Sequence, residues 1–149
     1  MKNIAQVTAN LSATAWIGSL WAIGYLAVPT LFYAQPDKQL AGMLAGQMFV
    51  KSGYLGLACA SYLLWFDFYR YGTSAFRQTT FRIVLAMTAI TLLIQFGIQP
   101  EMNALKTQAL PLDVMSSDLA GRFKMLHGIS SIAYLIESLL GLLLIAKRG

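Results

Sequence analysis

Residues 123–146, FKMLHGISSIAYLIESLLGLLLIA, form the stretch that decides the fold class of this 149-residue chain. The stretch is longer than the ~20 apolar residues that a helix needs to cross a hydrocarbon layer about 30 Å thick. Similar runs precede it at residues 11–33, 49–69 and 83–105. The sequence therefore predicts an all-α integral membrane four-helix bundle, with a single four-span domain over residues 1–149.

The composition supports a membrane protein. The chain is 57% hydrophobic and only 11% charged, whereas soluble domains are about 45–50% apolar and about 25% charged. The single Cys59 excludes an intramolecular disulfide and carries no metal-ligand spacing. The basic residues behind the net charge of +5 are dispersed, so nucleic acid is not an expected partner.

The second run is the least regular. Lys51 interrupts residues 39–69, which predicts a short interfacial helix before a span at residues 49–69. Residues 11–33 carry no charge and exceed the roughly 7–15 apolar residues of a signal peptide, so a retained anchor is expected.

Basic residues predict the orientation. Four crossings place one group on the same side, almost free of acids: Lys2, Arg70, Arg77, Arg82, Lys147 and Arg148. Cytoplasmic loops carry an excess of Lys and Arg. We therefore expect a multi-pass protein of a bacterial-type inner (plasma) membrane, with cytoplasmic N- and C-termini.

Polar side chains recur on one face of each run. In residues 123–146 they follow helical spacing from His127 to Glu137. This periodicity predicts that the polar faces line the bundle interior while the other faces contact lipid. The predicted polar interior, or substrate site, comprises Lys51, Tyr62, Gln95, Ser130, Ser131, Tyr134 and Glu137.

Glu137 is the most informative of these residues, because a charge at mid-span costs roughly 2.5–3.5 kcal/mol on insertion scales. At 1.5 Å per residue it lies about 15 Å from Lys147, and Gln95 lies about 20 Å from Arg82. Gln95, with Tyr62 and the serines, is the expected hydrogen-bond partner, whereas Lys51 is expected to extend to the outer interface. Glu137 is then a neutral strut, a proton- or cation-binding group, or half of an ion pair with a partner protein.

His127 is a candidate metal ligand, with Met125 two residues before it. Imidazole and thioether ligands on an oxidising side suit copper. Because His127 is the only histidine, bis-histidine haem would need a second chain. Copper and haem are the cofactors that this pattern leaves open, beside a plain hydrogen-bonding role for the histidine.

Small residues indicate close helix packing. Gly42 and Gly46 have the small-xxx-small spacing that lets helices approach each other, and Gly18 forms the same pattern with Ala22. Gly128 and Pro29 complete the predicted packing positions. Packing within one bundle and packing in a homo-oligomer explain this spacing equally well.

Several segments together resemble a known family: Trp16-Ile-Gly18, Pro29-Thr-Leu-Phe32, residues 41–49 (AGMLAGQMF), Gln99-Pro100 and residues 122–131 (RFKMLHGISS). This pattern is similar to the transmembrane protein 205-like family of four-span proteins, a domain of unknown function. The resemblance implies a four-helix membrane bundle and no particular activity. The chain also resembles, more distantly, the copper-resistance-D-like and HemJ-type membrane proteins, through a tryptophan, a glycine and a proline in the first span.

Three function classes follow. The leading hypothesis is a non-enzymatic bundle that binds or transports a small solute or metal ion through its polar interior. A haem- or metal-binding membrane redox or tetrapyrrole enzyme is the second. The third is a structural subunit of a membrane complex.

Overall fold

The computed structural model describes the backbone of residues 2–148 and the side chains of residues 4–148. All its regular elements are helical. The described residues form four rods, at residues 2–34, 38–71, 79–109 and 120–148, joined by short connections that include 3₁₀ turns at Gly72–Arg77 and Val114–Ser116. The helices are α1 (Lys2–Trp21), α2 (Val28–Ala34), α3 (Lys38–Tyr71), α4 (Thr79–Leu92), α5 (Gln99–Ala109) and α6 (Ala120–Arg148).

The rods pack as a ring. Helix α1 packs on α3, α3 on α4, α4 on α6, and α6 on α1, so each rod has two main neighbours. Residues 35–37 and 110–119 form what we call the loop end of the bundle. The opposite end, here the terminal end, holds Ile4, residues 72–78 and Arg148.

Three helical stretches of the described chain are long and apolar enough to cross a membrane: Ile4–Ala34, Thr79–Ala109 and Ala120–Arg148. Helix α3 is of similar length but carries Lys51 and Asp67 within it. The large apolar side chains that α6 exposes include Ile132, Leu135, Leu139, Leu142 and Leu143. An apolar surface of this kind requires a lipid environment, so the chain is a membrane protein that contacts lipid.

Helix α3 differs from the sequence prediction. Lys38–Tyr71 is one uninterrupted helix rather than an interfacial helix followed by a span. The carboxylate of Asp37 caps it by accepting a hydrogen bond from the Leu40 N–H at 3.0 Å, and Gly72 ends it with a φ of 56°. The Lys51 side chain is exposed, so its charge is accommodated without a break in the helix. Helix α5 also extends to Ala109, four residues beyond the predicted span that ended at residue 105.

Two prolines explain the departures from regular α-helix within the rods. The six-residue π-helical segments Ala22–Ala27 and Leu93–Ile98 stand just before Pro29 and Pro100. Proline lacks an N–H and its ring clashes with the carbonyl four residues earlier. A π-helical turn widens the helix there, so both rods continue.

Packing is densest towards the terminal end. One core cluster joins all four rods there, and Trp16, Leu63, Met87 and Leu144 are among its fully buried members. The loop end holds only a small cluster of Leu105, Ala109 and Val114. The bundle is therefore closed at one end and more loosely filled at the other.

Gly56 shows how tightly α1 and α3 approach. A Cβ atom at Gly56 would clash with the indole of Trp16, whereas one at Gly128 would meet nothing within 4 Å. We expect Gly56→Ala to destabilise the protein by about 1–3 kcal/mol through overpacking. Gly128→Ala, the matched control, is expected to be neutral or to stabilise α6 by about 0.5–1 kcal/mol.

The measurement uses Cys59, the only cysteine, which is 8% exposed and reacts with a maleimide dye once the core opens. Labelling during unfolding in detergent should show Gly56→Ala opening first and Gly128→Ala opening no earlier than wild type. Equal unfolding of the two variants would contradict the close contact at Gly56.

Candidate functional site: a cavity that ends at Glu137

A cavity of about 1690 Å³ occupies the loosely packed half of the bundle. Its lining begins at the loop end, with Asp37 and Asp113, and continues between the rods to Trp16, Thr91 and Glu137. Cavities that hold drug-sized ligands have volumes of about 300–1,000 Å³. The space is therefore ample for a solute, and it connects the loop end with the middle of the bundle.

Glu137 forms the polar floor of this cavity. Its side chain is buried, and the hydroxyl of Thr91 donates a hydrogen bond to Oε1 at 2.7 Å. The same hydroxyl lies 2.9 Å from the carbonyl oxygen of Met87. The indole of Trp16 approaches the carboxyl group from α1, the other neighbour of α6 in the ring. The floor thus consists of a carboxyl group on α6, with Thr91 of α4 on one side and the indole of Trp16 on the other.

Gln95 lies one turn above Thr91, and its role differs from the one predicted. Its side-chain amide donates to the carbonyl oxygen of Val50 at 3.1 Å rather than to Glu137. Gly53 makes room for the amide, because a Cβ atom there would clash with Oε1 of Gln95. Gln95 therefore joins α3 to the third rod while lining the cavity.

Tyr134 forms part of the wall near the first rod. Its hydroxyl donates to the carbonyl oxygen of Leu20 at 2.5 Å, and the Tyr25 hydroxyl donates to Ser138 at 3.0 Å. The ring of Phe49 packs edge-on against Tyr134, with centroids 5.2 Å apart. These contacts fix an aromatic wall above the floor.

The structure brings most of the predicted polar-interior residues to one cavity. Its lining includes Lys51, Gln95, Ser130, Ser131, Tyr134 and Glu137. Tyr62 lies elsewhere: its hydroxyl donates to the carbonyl oxygen of Ala5 at 3.2 Å, towards the terminal end. Tyr62 therefore does not hydrogen-bond to Glu137, and the observed partner is Thr91.

The two predicted metal ligands point in different directions. His127 lines the cavity and stacks on Phe123 with 6.0 Å between centroids, whereas Met125 is 59% exposed and is not part of the lining. Within residues described by the structure, no three His, Cys, Asp or Glu side chains converge as a metal site would require. Metal ligation by His127 stays a prediction, and it would need ligands other than a cluster of His, Cys, Asp and Glu side chains.

Charged side chains surround the mouth of the cavity at the loop end. Lys38 and Lys106 line it together with Asp37 and Asp113, whereas Lys51 lines the cavity thirteen residues after Lys38 on α3, about 20 Å further from the loop end. Glu101 and Arg122 form an exposed ion pair on the outside of the same end. Lys106 is half-buried there, and its Nζ donates to the carbonyl oxygen of Gly42 at 3.0 Å.

The predicted packing positions are distributed unevenly. Gly42 and Gly46 face the cavity, with the nearest side-chain atoms 3.9 Å and 3.5 Å from a Cβ built at each. Gly18 and Gly128 would meet nothing within 4 Å. Pro29 lies at the start of α2. The glycines at tight approaches are instead Gly24, Gly53 and Gly56, each beside a side chain of another rod.

One polar pair was not predicted from the sequence. At the terminal end, Arg148 donates to Oδ1 of Asp67 at 3.0 Å, and the two side chains are 10% and 5% exposed. The only signal in the sequence was that Asp67 is the single acid near the basic residues of that end. The pair joins the last turn of α6 to α3.

Comparison with known families gives the chain a relationship but no activity. Residues 11–111 match the family described as a domain of unknown function, DUF4149, which covers more than half of the chain. The chain belongs to this family. No curated protein and no solved structure matches it.

Proposed function

We propose that this member of the DUF4149 family binds a small solute in the cavity, as the first step of moving that solute into or across the membrane. The observation that carries the proposal is the cavity itself, which runs from the loop end to a buried carboxyl group. Most ligand sites combine apolar walls with a few placed polar groups, and this cavity has that composition.

We further propose that all four rods cross a bacterial-type inner membrane, with both termini in the cytoplasm. Helix α3 packs between the first and third rods, so its middle would share their depth. The basic residues Arg70, Arg77 and Arg82 lie at the terminal end, as the charge rule for cytoplasmic loops requires. The resemblance to the four-span transmembrane protein 205-like family supports the same arrangement. The cavity would then open to the outside.

Glu137 supplies the polar contact at the floor. A buried carboxyl group retains acceptor capacity beyond the bond from Thr91, and it accepts a hydrogen bond from a donor at the far end of a solute. Specific recognition of this kind follows because a solute without the donor leaves buried polar capacity unpaired. The apolar walls between mouth and floor hold the body of the solute.

The test uses Trp16, which lines the cavity and is 1% exposed, as a fluorescent reporter. With Trp21 and Trp65 replaced by phenylalanine, Trp16 is the only tryptophan. Bromoundecanol, a neutral single-chain probe, is titrated into the protein in nanodiscs. We expect saturable quenching that unbrominated undecanol reverses, because the competitor displaces the probe from the cavity.

Two sets of variants locate the probe. Gly46→Leu narrows the cavity and should weaken quenching by about tenfold or more, whereas Gly128→Leu, outside the lining, should not. Glu137→Leu removes the acceptor at the floor and is expected to weaken probe binding by about tenfold. Glu137→Gln retains an acceptor oxygen and is expected to weaken probe binding less. In both, the Thr91 hydroxyl retains the Met87 carbonyl as an acceptor.

Cys59 labelling confirms that each variant remains folded. Quenching that never saturates, or that undecanol does not reverse, would show that the probe only dissolves in lipid, and the proposal would fail. Equal affinity of wild type and Glu137→Leu would remove Glu137 from the solute site and leave it as a strut between helices.

A further inference from the structure

The mouth of the cavity holds a lysine that forms no ion pair with any residue that the structure describes. Lys106 is half-buried, and the Nζ atom lies 5.6 Å from the centroid of the Phe123 ring. It donates to the Gly42 carbonyl oxygen, which uses one of the three N–H donors of an ammonium group. Among the described residues, the only ion pairs join Arg122 to Glu101 and Arg148 to Asp67.

The acidic residues at the mouth are occupied in other ways. The Asp37 carboxylate caps α3 through the Leu40 N–H, and the Asp113 carboxylate accepts from the Met115 N–H at 2.7 Å. Both carboxylates are thus held at the ends of helical turns. Lys38 lines the same mouth, but its Nζ donates to the carbonyl oxygens of Phe32 and Gln35, so Lys106 has more donors left for a solute. An ammonium group with free N–H donors forms charge-assisted hydrogen bonds with a carboxylate or a phosphate.

The space around Lys106 is open on the cavity side. Gly46 faces its Nζ without a side chain, and a Cβ built at Gly46 would still lie 3.5 Å away. Asn103 and His127 line the cavity as well, and the His127 ring stacks on the same Phe123 ring that Lys106 approaches. An anionic group entering from the loop end therefore meets an ammonium donor, with polar side chains nearby.

We infer that Lys106 binds the anionic head of the solute, and that the solute is a single-chain amphiphile with a carboxylate or phosphate head. The inference rests on the proposed function and names its substrate class. The apolar body extends along walls that include Phe32, Phe49 and Tyr134. Contact of the apolar body with these walls contributes to binding, while the anionic head remains at the mouth.

The dimensions of the bundle suit such a solute. The Lys106 Nζ atom lies beside Gly46, and the Trp16 indole, which adjoins Glu137, lies beside Gly56. The two glycines are ten residues apart on α3, which corresponds to about 15 Å at the α-helical rise. One leaflet of hydrocarbon is about 15 Å thick. An amphiphile of lipid length with its head at Lys106 would therefore reach the level of Glu137.

The experiment compares two probes of equal chain length, bromoundecanoate and bromoundecanol, on the Trp16-only protein in nanodiscs. We expect the carboxylate probe to bind more tightly than the alcohol. Lys106→Gln should weaken the binding of bromoundecanoate by about tenfold and leave the binding of bromoundecanol unchanged, because only the carboxylate head contacts the ammonium group. Lys106→Arg should retain the preference for the carboxylate.

The matched control is Lys124→Gln, which removes the same charge from an exposed lysine outside the cavity lining. If bromoundecanol binds saturably but Lys106→Gln leaves the carboxylate preference intact, the inference fails and the proposed function stands. If neither probe quenches wild-type Trp16 saturably, the proposed function itself fails. Equal loss in Lys124→Gln and Lys106→Gln would show general electrostatic attraction and would also overturn the subsite.

A phosphate head is tested by competition. Dodecyl phosphate and laurate are added to the complex with bromoundecanoate, and inorganic phosphate is added separately. Displacement by either amphiphile but not by inorganic phosphate supports an amphiphile with an anionic head. Displacement by inorganic phosphate alone would show that the subsite binds a free anion, which would overturn the assigned substrate class.

Discussion

Asp67→Ala is expected to destabilise the protein by about 3–5 kcal/mol, because it leaves the Arg148 guanidinium buried without its carboxylate. The two side chains are 5% and 10% exposed, and their 3.0 Å contact joins α3 to the end of α6. Among the described residues, Oδ2 of Asp67 and two nitrogens of Arg148 have no hydrogen-bond partner. Within the described part of the chain, the hydrogen bonding of these two side chains therefore consists of this one contact.

The double variant Asp67→Asn with Arg148→Gln removes both charges together and is expected to lie much closer to wild type than either single variant. Glu101→Gln is the matched control for an exposed pair, since Glu101 and Arg122 are 41% and 61% exposed. It should cost no more than about 1 kcal/mol. Unfolding in detergent, followed by Cys59 labelling, measures all three. An Asp67→Ala protein as stable as Glu101→Gln would contradict the buried pair.

Trp16→Ala is expected to cost about 3–5 kcal/mol, the range for removing a large aromatic side chain from a packed core. Trp16 is 1% exposed and packs against Gly56 of α3, beside the carboxyl group of Glu137. In a membrane, helix association depends on close packing and interhelical hydrogen bonds. Loss of the indole removes both the packing and a boundary of the cavity.

Trp65→Ala is the control of the same residue type, because Trp65 is 57% exposed and faces outwards from α3. Its substitution is expected to change the free energy of unfolding by less than about 1 kcal/mol. The same Cys59 assay compares the two variants. If the two alanine variants unfold together, Trp16 does not close the core between α1 and α3.

Much of the fold follows from local properties of the sequence. The apolar runs predicted helices of membrane-spanning length, and the helical spacing of polar residues predicted which face of α6 lines the interior. The interfacial helix before residue 49 was wrong, because a lysine can be exposed on a continuous helix. Lys51 breaks the apolar pattern without breaking the backbone hydrogen bonds of α3.

The partner of Glu137 shows where local reasoning ended. At the helical rise, Thr91 is about 14 Å from Arg82 along the helix axis. Glu137 is about 15 Å from Lys147, so the two residues lie at nearly the same depth. Thr91 is therefore nearer to the level of Glu137 than Gln95 is, although Gln95 was the predicted partner. The structure selects Thr91 because α4 packs against α6, while Gln95 turns to the Val50 carbonyl of α3.

The sequence by itself determined that the chain forms apolar helices suited to lipid, because hydropathy and its helical spacing are properties of single segments. Only the tertiary structure decided that Lys106 and Glu137 line one cavity, that Trp16 closes it, and that Arg148 pairs with Asp67. Those facts depend on which rods are neighbours and how each is rotated about its axis. Neighbours and rotations are set by contacts between residues far apart in the chain, which no single segment encodes.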